Sequence, residues 1–218
     1  MKHLAYALLT LVCVSVAISA CKDDNYVYPS VVTEFITMET DEEGTVSKLV
    51  KDDGTELSVI YRSGLSGLVC DTAYRTVSMY LPSEEDESYV TLYTCTVARS
   101  PIPQPRSFFN DTIFTDPVDI EMMRRSGDYI DMTLLVKLKE KTHGYHFIHE
   151  GIFTNDAGGK KLQLRLFHNQ NDDVEAFTQD VYMSVPLWAY KDSLSTGDSI
   201  EFLINTYEEG ETARYFVY

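Results

Sequence analysis

From Ile130 to Leu138 every second residue is apolar: Ile130, Met132, Leu134, Val136 and Leu138, with Asp131, Thr133 and Lys137 between them. A period of two sends alternate side chains to opposite faces of an extended chain, so this segment is a strand with one face in a core and the other facing solvent. The same alternation returns in Leu162, Leu164, Leu166 around Gln163 and Arg165, and in Val181, Met183, Val185. Turn formers punctuate these runs: DEEG at 41, KDDG at 51, RSGD at 125, NDAGGK at 155, NQNDD at 169 and STGD at 195. With almost no helical periodicity after the first 20 residues, the pattern predicts an all-β chain.

The runs fall into two groups about ARSPIPQPRSFFND, residues 98–111, where Pro101, Pro103 and Pro105 remove three backbone donors and favour an extended segment. Strands are expected near 31–39, 45–50, 55–61, 73–81 and 89–99, a set that suits a small OB-like β-barrel over residues 31–100. Residues 101–115 then read as a Pro-rich linker. Seven further strands, near 117–124, 128–138, 145–153, 161–168, 176–185, 199–206 and 212–218, suit an immunoglobulin-like antiparallel β-sandwich over residues 116–218. The last six residues, ARYFVY, read as the strand that completes a sheet.

The amino end carries Lys2 and then seventeen uncharged residues, Leu4 to Ala20, which is short against the roughly 20 that span a bilayer. Ile18-Ser19-Ala20-Cys21 resembles the lipobox of bacterial lipoproteins. The resemblance implies that residues 1–20 are a signal peptide, that Cys21 becomes a lipidated amino terminus carrying acyl groups such as palmitate, and that residues 21–30 form a tether. Several acyl chains, at about 0.8 kcal/mol per buried CH₂, anchor far more firmly than one. Lys22-Asp23-Asp24 resembles the acidic export signal of Bacteroidota surface lipoproteins, which implies the outer membrane and its cell-surface face.

The formal charge is −16, and loss of residues 1–20, where Lys2 is the one charged side chain, takes it to −17. Nucleic acid binding draws its affinity from neutralised phosphates and is therefore not expected. Beyond Cys13 and Cys21, only Cys70 and Cys95 remain to pair. A hairpin centred near residue 85 would set Cys95 opposite Arg75 and about 17 Å along the strand from Cys70, against a limit of about 7 Å, so a disulfide is not expected.

DPVDIEMMRRSGDYIDMTLLVKL at 116–138, HFI at 146–148 and LRLFHNQNDDVEAFTQDVYMSVPL at 164–187 resemble the NigD-like lipoproteins of Bacteroidota. That resemblance implies an OB-like domain followed by a β-sandwich behind a lipobox. It brings no catalytic residues with it, and its link to bacteriocin loci implies at most an immunity-like role.

Candidate sites are few. HGYHFIH with His168 suggests a metal, but on a strand His146 and His149 point to opposite faces, and no CxxC or HExxH accompanies them. A turn histidine, His143, beside sheet-packing ones is the expected arrangement, with no metal and no cofactor. Glu84, Glu85, Asp86 and Glu87 lack the spacing and glycine of a calcium loop and read as a solvated hairpin tip. RSGLSGLVC at 62–70 misses the GxSxG pattern of a nucleophile elbow and reads as a flexible loop. Trp188 and Tyr190 in SVPLWAY are the candidate ligand platform, against the alternative of a plug closing the sandwich. The expectation is a non-enzymatic binding protein of the cell envelope, its partner a protein or a glycan. The alternative is a polysaccharide-binding protein or a glycan hydrolase with a carboxylate pair in a cleft.

Overall fold

The computed structural model of the chain describes residues 30–154, 156 and 158–218; Cys21 and the segment around it lie outside these. The first five strands are β1 (Val32–Thr40), β2 (Val46–Val50), β3 (Glu56–Val59), β4 (Ala73–Pro82) and β5 (Tyr89–Val97). They close into a barrel in the order β1-β2-β3-β5-β4, with β3 and β5 parallel and the other neighbours antiparallel, which is OB-like topology. Alternation drives the closure: Ile36 and Met38 from β1, Leu49 from β2, Leu57 from β3, Tyr80 from β4, and Val90 and Leu92 from β5 meet in one core. Each such side chain contributes roughly 1.5–3 kcal/mol on leaving water.

Residues 62–70 are not the free loop that their glycines suggest. Leu65 is buried in the barrel core, its carbonyl accepts the Val46 amide at 2.8 Å, and the Leu68 amide donates to the Gly44 carbonyl at 3.1 Å. Gly44 has φ +73°, and a Cβ there would lie 2.2 Å from the Leu68 oxygen, so only glycine lets the β1–β2 turn meet this loop.

The rest of the chain is a sandwich. One sheet runs β13-β12-β10-β9-β6 and the other β11-β8-β7, with β6 Gln104–Pro105, β7 Asp119–Ser126, β8 Tyr129–Leu138, β9 Gly144–Thr154, β10 Lys160–Asn169, β11 Phe177–Pro186, β12 Ser199–Thr206 and β13 Gly210–Val217. The inward positions of the strict alternation, Ile130, Met132, Leu134 and Val136, are fully buried with Leu162, Leu164, Met183, Val185 and Phe202. The five-stranded sheet is not antiparallel throughout: β10 and β12 run parallel. The reason is connectivity, since β11 crosses to the opposite sheet and the chain returns to lie beside β10 in the same direction.

The Pro-rich segment is an edge of the sandwich instead of a spacer. Gln104 and Pro105 pair in parallel with Ile148 and His149 of β9, and the 3₁₀ turn Arg106–Phe109 follows directly. An edge position suits these residues, because one side of the backbone needs no partner and a missing proline donor leaves no gap in the ladder.

Val31–Tyr218 forms one compact unit, and a buried ion cluster explains why. Arg75 of β4 is 4% exposed, and its guanidinium donates to Asp131 of β8 through Nε at 3.1 Å and Nη2 at 2.6 Å. Its outer nitrogens donate to Asp52, in the β2–β3 turn, at 2.6 and 2.9 Å. Ser184 of β11 donates to Asp131 at 2.7 Å, Ser126 donates to Asp52, and the guanidinium lies 4.4 Å from the centre of the Tyr129 ring. Burial alone would weaken the guanidinium's hold on its proton, yet the two carboxylates raise its pKa above the ordinary arginine value, so it stays charged. Gly127, φ +52°, is the close approach: a Cβ there would sit 2.8 Å from Cβ of Asp52.

Candidate functional site

Cys70 and Cys95 are both free and exposed. Cys95 lies opposite Ser78, not Arg75, because the β4–β5 ladder slips between Met79 and Tyr80 and its turn is centred beyond residue 85. Its thiol rests 3.4 Å from the sulfur of Met38.

The histidines separate as strand geometry requires. His146 pairs with Phe167 and joins the rings on one face, whereas His149 faces Leu164 and accepts from or donates to the Tyr190 hydroxyl at 3.2 Å. His143 and His168 do come together, with Nδ1 of the first 3.0 Å from Nε2 of the second. His168 reaches on to the Asp116 carbonyl at 2.9 Å and stacks on Tyr145 at 4.9 Å. Nε2 of His143 lies 3.4 Å from Asp173, without hydrogen-bond geometry. Burial holds His168 below the usual histidine pKa, and His143 beside it acts in the same sense. Burial would raise the Asp173 carboxyl, but the amides of Lys139, Glu140 and Val174 that it accepts hold it well below the usual carboxylate range. The arrangement closes the end of the sandwich. Among the described residues no group of three or more His, Cys, Asp or Glu is placed to hold a metal.

The acidic turns are built for folding. Asp41 accepts the amides of Glu43 and Thr45 at 3.0 and 2.8 Å, and Asp86 accepts the Ser88 amide and hydroxyl at 2.9 and 2.7 Å. The buried Asp131 and the partly exposed Asp52 share Arg75 and serve the junction.

Trp188 and Tyr190 do not form a joint platform. They sit in the 3₁₀ turn Leu187–Tyr190, where three residues make a turn, so Leu187 and Tyr190 share the inward side and Trp188 does not. Tyr190 is 7% exposed within the core, while Trp188 is 44% exposed. An open cleft of about 290 Å³ beside Trp188 is lined by Thr37, Lys51, Asp52, Asp128 and Tyr129, at the meeting of barrel and sandwich.

Two surface features escaped sequence reasoning. The first is a cluster of five rings on the outer side of β9 and β10. Phe109 stacks on Phe167 at 4.7 Å, Phe108 and His146 meet Phe109 edge-on at 5.1 and 5.2 Å, and Phe114 meets Phe167 edge-on at 5.9 Å. Phe108 is 61% exposed. FF at 108–109 was the available signal, hidden by its place in an apparent linker.

The second is a pair of strand edges. β3 pairs with β5 only through Tyr89 and Val90, so among the described residues β5 from Thr91 to Val97 has β4 on one side and no strand on the other, where Arg62 donates to the Tyr93 carbonyl at 3.0 Å. β11 is the edge of its sheet, and Phe177, Thr178, Gln179 and Asp180 are all exposed. The two edges converge where Arg99 bridges to Met183: the Arg99 amide donates to the Tyr182 carbonyl at 2.9 Å, and the Ser184 amide donates to the Arg99 carbonyl at 3.0 Å. Between them lies an open cleft of about 430 Å³, with Thr96 and Val97 on one wall and Gln179 and Asp180 on the other. Among the described residues no helix is long and apolar enough to cross a membrane.

No curated protein is matched by the sequence. Among solved structures, a NigD-like immunity protein from Bacteroides caccae is similar at 26% identity and TM-score 0.73, over 88% of this chain and 99% of that one. A protein of unknown function from Bacteroides vulgatus shares the fold at 21% identity and TM-score 0.68, over 87% of this chain and 91% of that one. The profile of the NigD-like C-terminal beta sandwich domain matches residues 100–218, which takes in β6 and the proline run as well as the sandwich proper. That match spans more than half of the chain, and the chain therefore belongs to the NigD-like family.

Proposed function

We propose that this protein is a cell-envelope lipoprotein that works by binding another protein and not by catalysis. The observation that carries the reading is the pair of unpaired strand edges on β5 and β11, held on a scaffold that Arg75 locks together. A free edge presents alternating amides and carbonyls, and the ligand that matches this alternation is another extended polypeptide. The lipobox ending at Cys21 supports anchoring on a bilayer, and Lys22-Asp23-Asp24 supports the outer face of the outer membrane. The likeness to the Bacteroides caccae immunity protein favours an immunity-type form of the same reading, in which the partner is a toxin met near the membrane. The strongly negative charge argues against nucleic acid as the partner.

A second reading, a glycan-binding surface, draws on the five rings around Phe109 and Phe167, since exposed rings stack on sugar faces. Crosslinking on intact cells separates the two. Recovery of a defined protein adduct supports the first reading, recovery of glycan alone supports the second, and recovery of neither refutes both.

A further inference from the structure

We propose that the groove between the edges of β5 and β11 takes an extended acidic segment of the partner protein, which adds as a strand along β11 and places a carboxylate on Arg99. The proposal rests on the protein-binding reading above and gives that partner its chemistry. Tyr182 and Ser184 already direct their carbonyl and amide to Arg99. The two-residue repeat of a strand sends the amides and carbonyls of Thr178 and Asp180 to the same side. Among the described residues no strand lies there in the sheet order. Facing them, Tyr89 to Ala98 contains no charge and no proline, and Tyr93 to Val97 are exposed. Natural edges are usually guarded by lysine, proline or inward charges; here Arg62 donates to the Tyr93 carbonyl at 3.0 Å, and the open stretch of β5 is Thr94 to Val97.

Charge selects the occupant. Arg99 is exposed, lies over the Tyr145 ring at 5.3 Å and, among the described residues, is paired with no carboxylate. The cleft continues past it into a second one of about 230 Å³ that shares Arg99, Gln179 and Val181 and adds Lys139 and Lys141. Lys141 is held by the carbonyls of Asn171 and Asp172 at 2.9 and 2.8 Å, so its charge is not cancelled there, and Lys139 has only Glu140 at 3.7 Å. On a chain of formal charge −16 this lining carries three cations, Arg99, Lys139 and Lys141, against two carboxylates, Asp180 and Glu140, beside free backbone donors. An arginine fork suits a carboxylate, and the two open edges suit the strand that carries it.

The test uses the detergent-solubilised full chain and two fluorescent octapeptides, one alternating Glu with Val and one alternating Lys with Val, read by anisotropy. The acidic peptide is expected to bind and the basic one not. Arg99→Glu should weaken the acidic peptide by about tenfold or more. Thr178→Pro should weaken it comparably, since it removes one edge donor at a position where an edge strand tolerates proline. Equal binding of both peptides, or acidic binding untouched by both substitutions, overturns the proposal. A concentration-dependent dimer that Thr178→Pro abolishes also overturns it, because a second copy would then fill the edge. On intact cells, a photocrosslinker at Gln179 should capture a partner that Arg99→Glu releases. Capture only from Phe108 leaves the protein-binding reading standing and refutes the groove, while capture of protein from neither position refutes both.

Discussion

Replacing Arg75 by methionine tests whether barrel and sandwich are one folding unit. The guanidinium makes two donations to Asp131 and two to Asp52, between 2.6 and 3.1 Å. Asp52 has a fifth of its side chain exposed and recovers water when Arg75 is lost. Asp131 is 0% exposed and would keep only Ser184. Most of the cost is therefore the stranded Asp131 carboxylate, and breaking a buried pair on one side costs about 3–5 kcal/mol. For a chain of this size, with m near 2 kcal/mol/M in urea, the midpoint should fall by roughly 1.5–2.5 M. Urea unfolding followed by far-UV circular dichroism and by fluorescence of Trp188, the sole tryptophan, reads the effect. The two probes should superimpose in the parent chain and separate in Arg75→Met, as the barrel loses its hold on the sandwich. Adding Asp131→Leu should restore most of the loss, because an apolar pair of similar volume replaces a buried ion pair at little cost. A midpoint shift below about 0.5 M in Arg75→Met, or a double variant no better than the single one, contradicts the reasoning.

Other expectations follow from the same contacts. Burial holds His149 and His168 below the ordinary histidine value, so the unfolded chain takes up protons near about pH 6.5 where the folded chain does not. Stability is then complete above that pH and declines as pH falls below it. Urea midpoints at pH 7.5 and 5.5 should show the decline, more weakly in His168→Gln, and a flat profile in the parent chain refutes it. Gly44→Ala forces a Cβ to 2.2 Å from the Leu68 oxygen at φ +73° and should cost about 1–3 kcal/mol, measured as a lowered melting temperature; an unchanged melt counts against the tie between turn and loop. Ending the chain at Thr212 removes most of β13 with Phe216 and the following Tyr218, both packed on the core, and exposes β12. The cooperative melt should disappear, and a truncated chain that melts like the parent refutes this.

The strands were legible because alternation is a local signal. All five expected before the proline run and all seven after it appear, with ends displaced by a few residues. What was hidden depends on contacts between segments. Arg75 reads as a solvent-facing residue in an alternating strand, yet the outer face of β4 is covered by the sandwich, and Asp131, the wet position in Ile130–Leu138, is its buried partner. β6 is two residues, Gln104 and Pro105, and carries no periodicity of its own. The His143–His168 pair spans two strands, so spacing could not reveal it. Trp188 and Tyr190 look like a pair in sequence, but a turn of three residues, which leaves no periodic signal, separates them. The candidate groove was invisible for a related reason: an unpaired edge is defined by what does not lie beside it.

Metabolic labelling with radioactive palmitate measures most directly the proposed anchoring through Cys21. The full chain should carry label and fractionate with membranes, and Cys21→Ala should lose the label and remain unprocessed. An unlabelled parent chain, or a Cys21→Ala variant that is labelled, processed and fractionated like the parent, contradicts it.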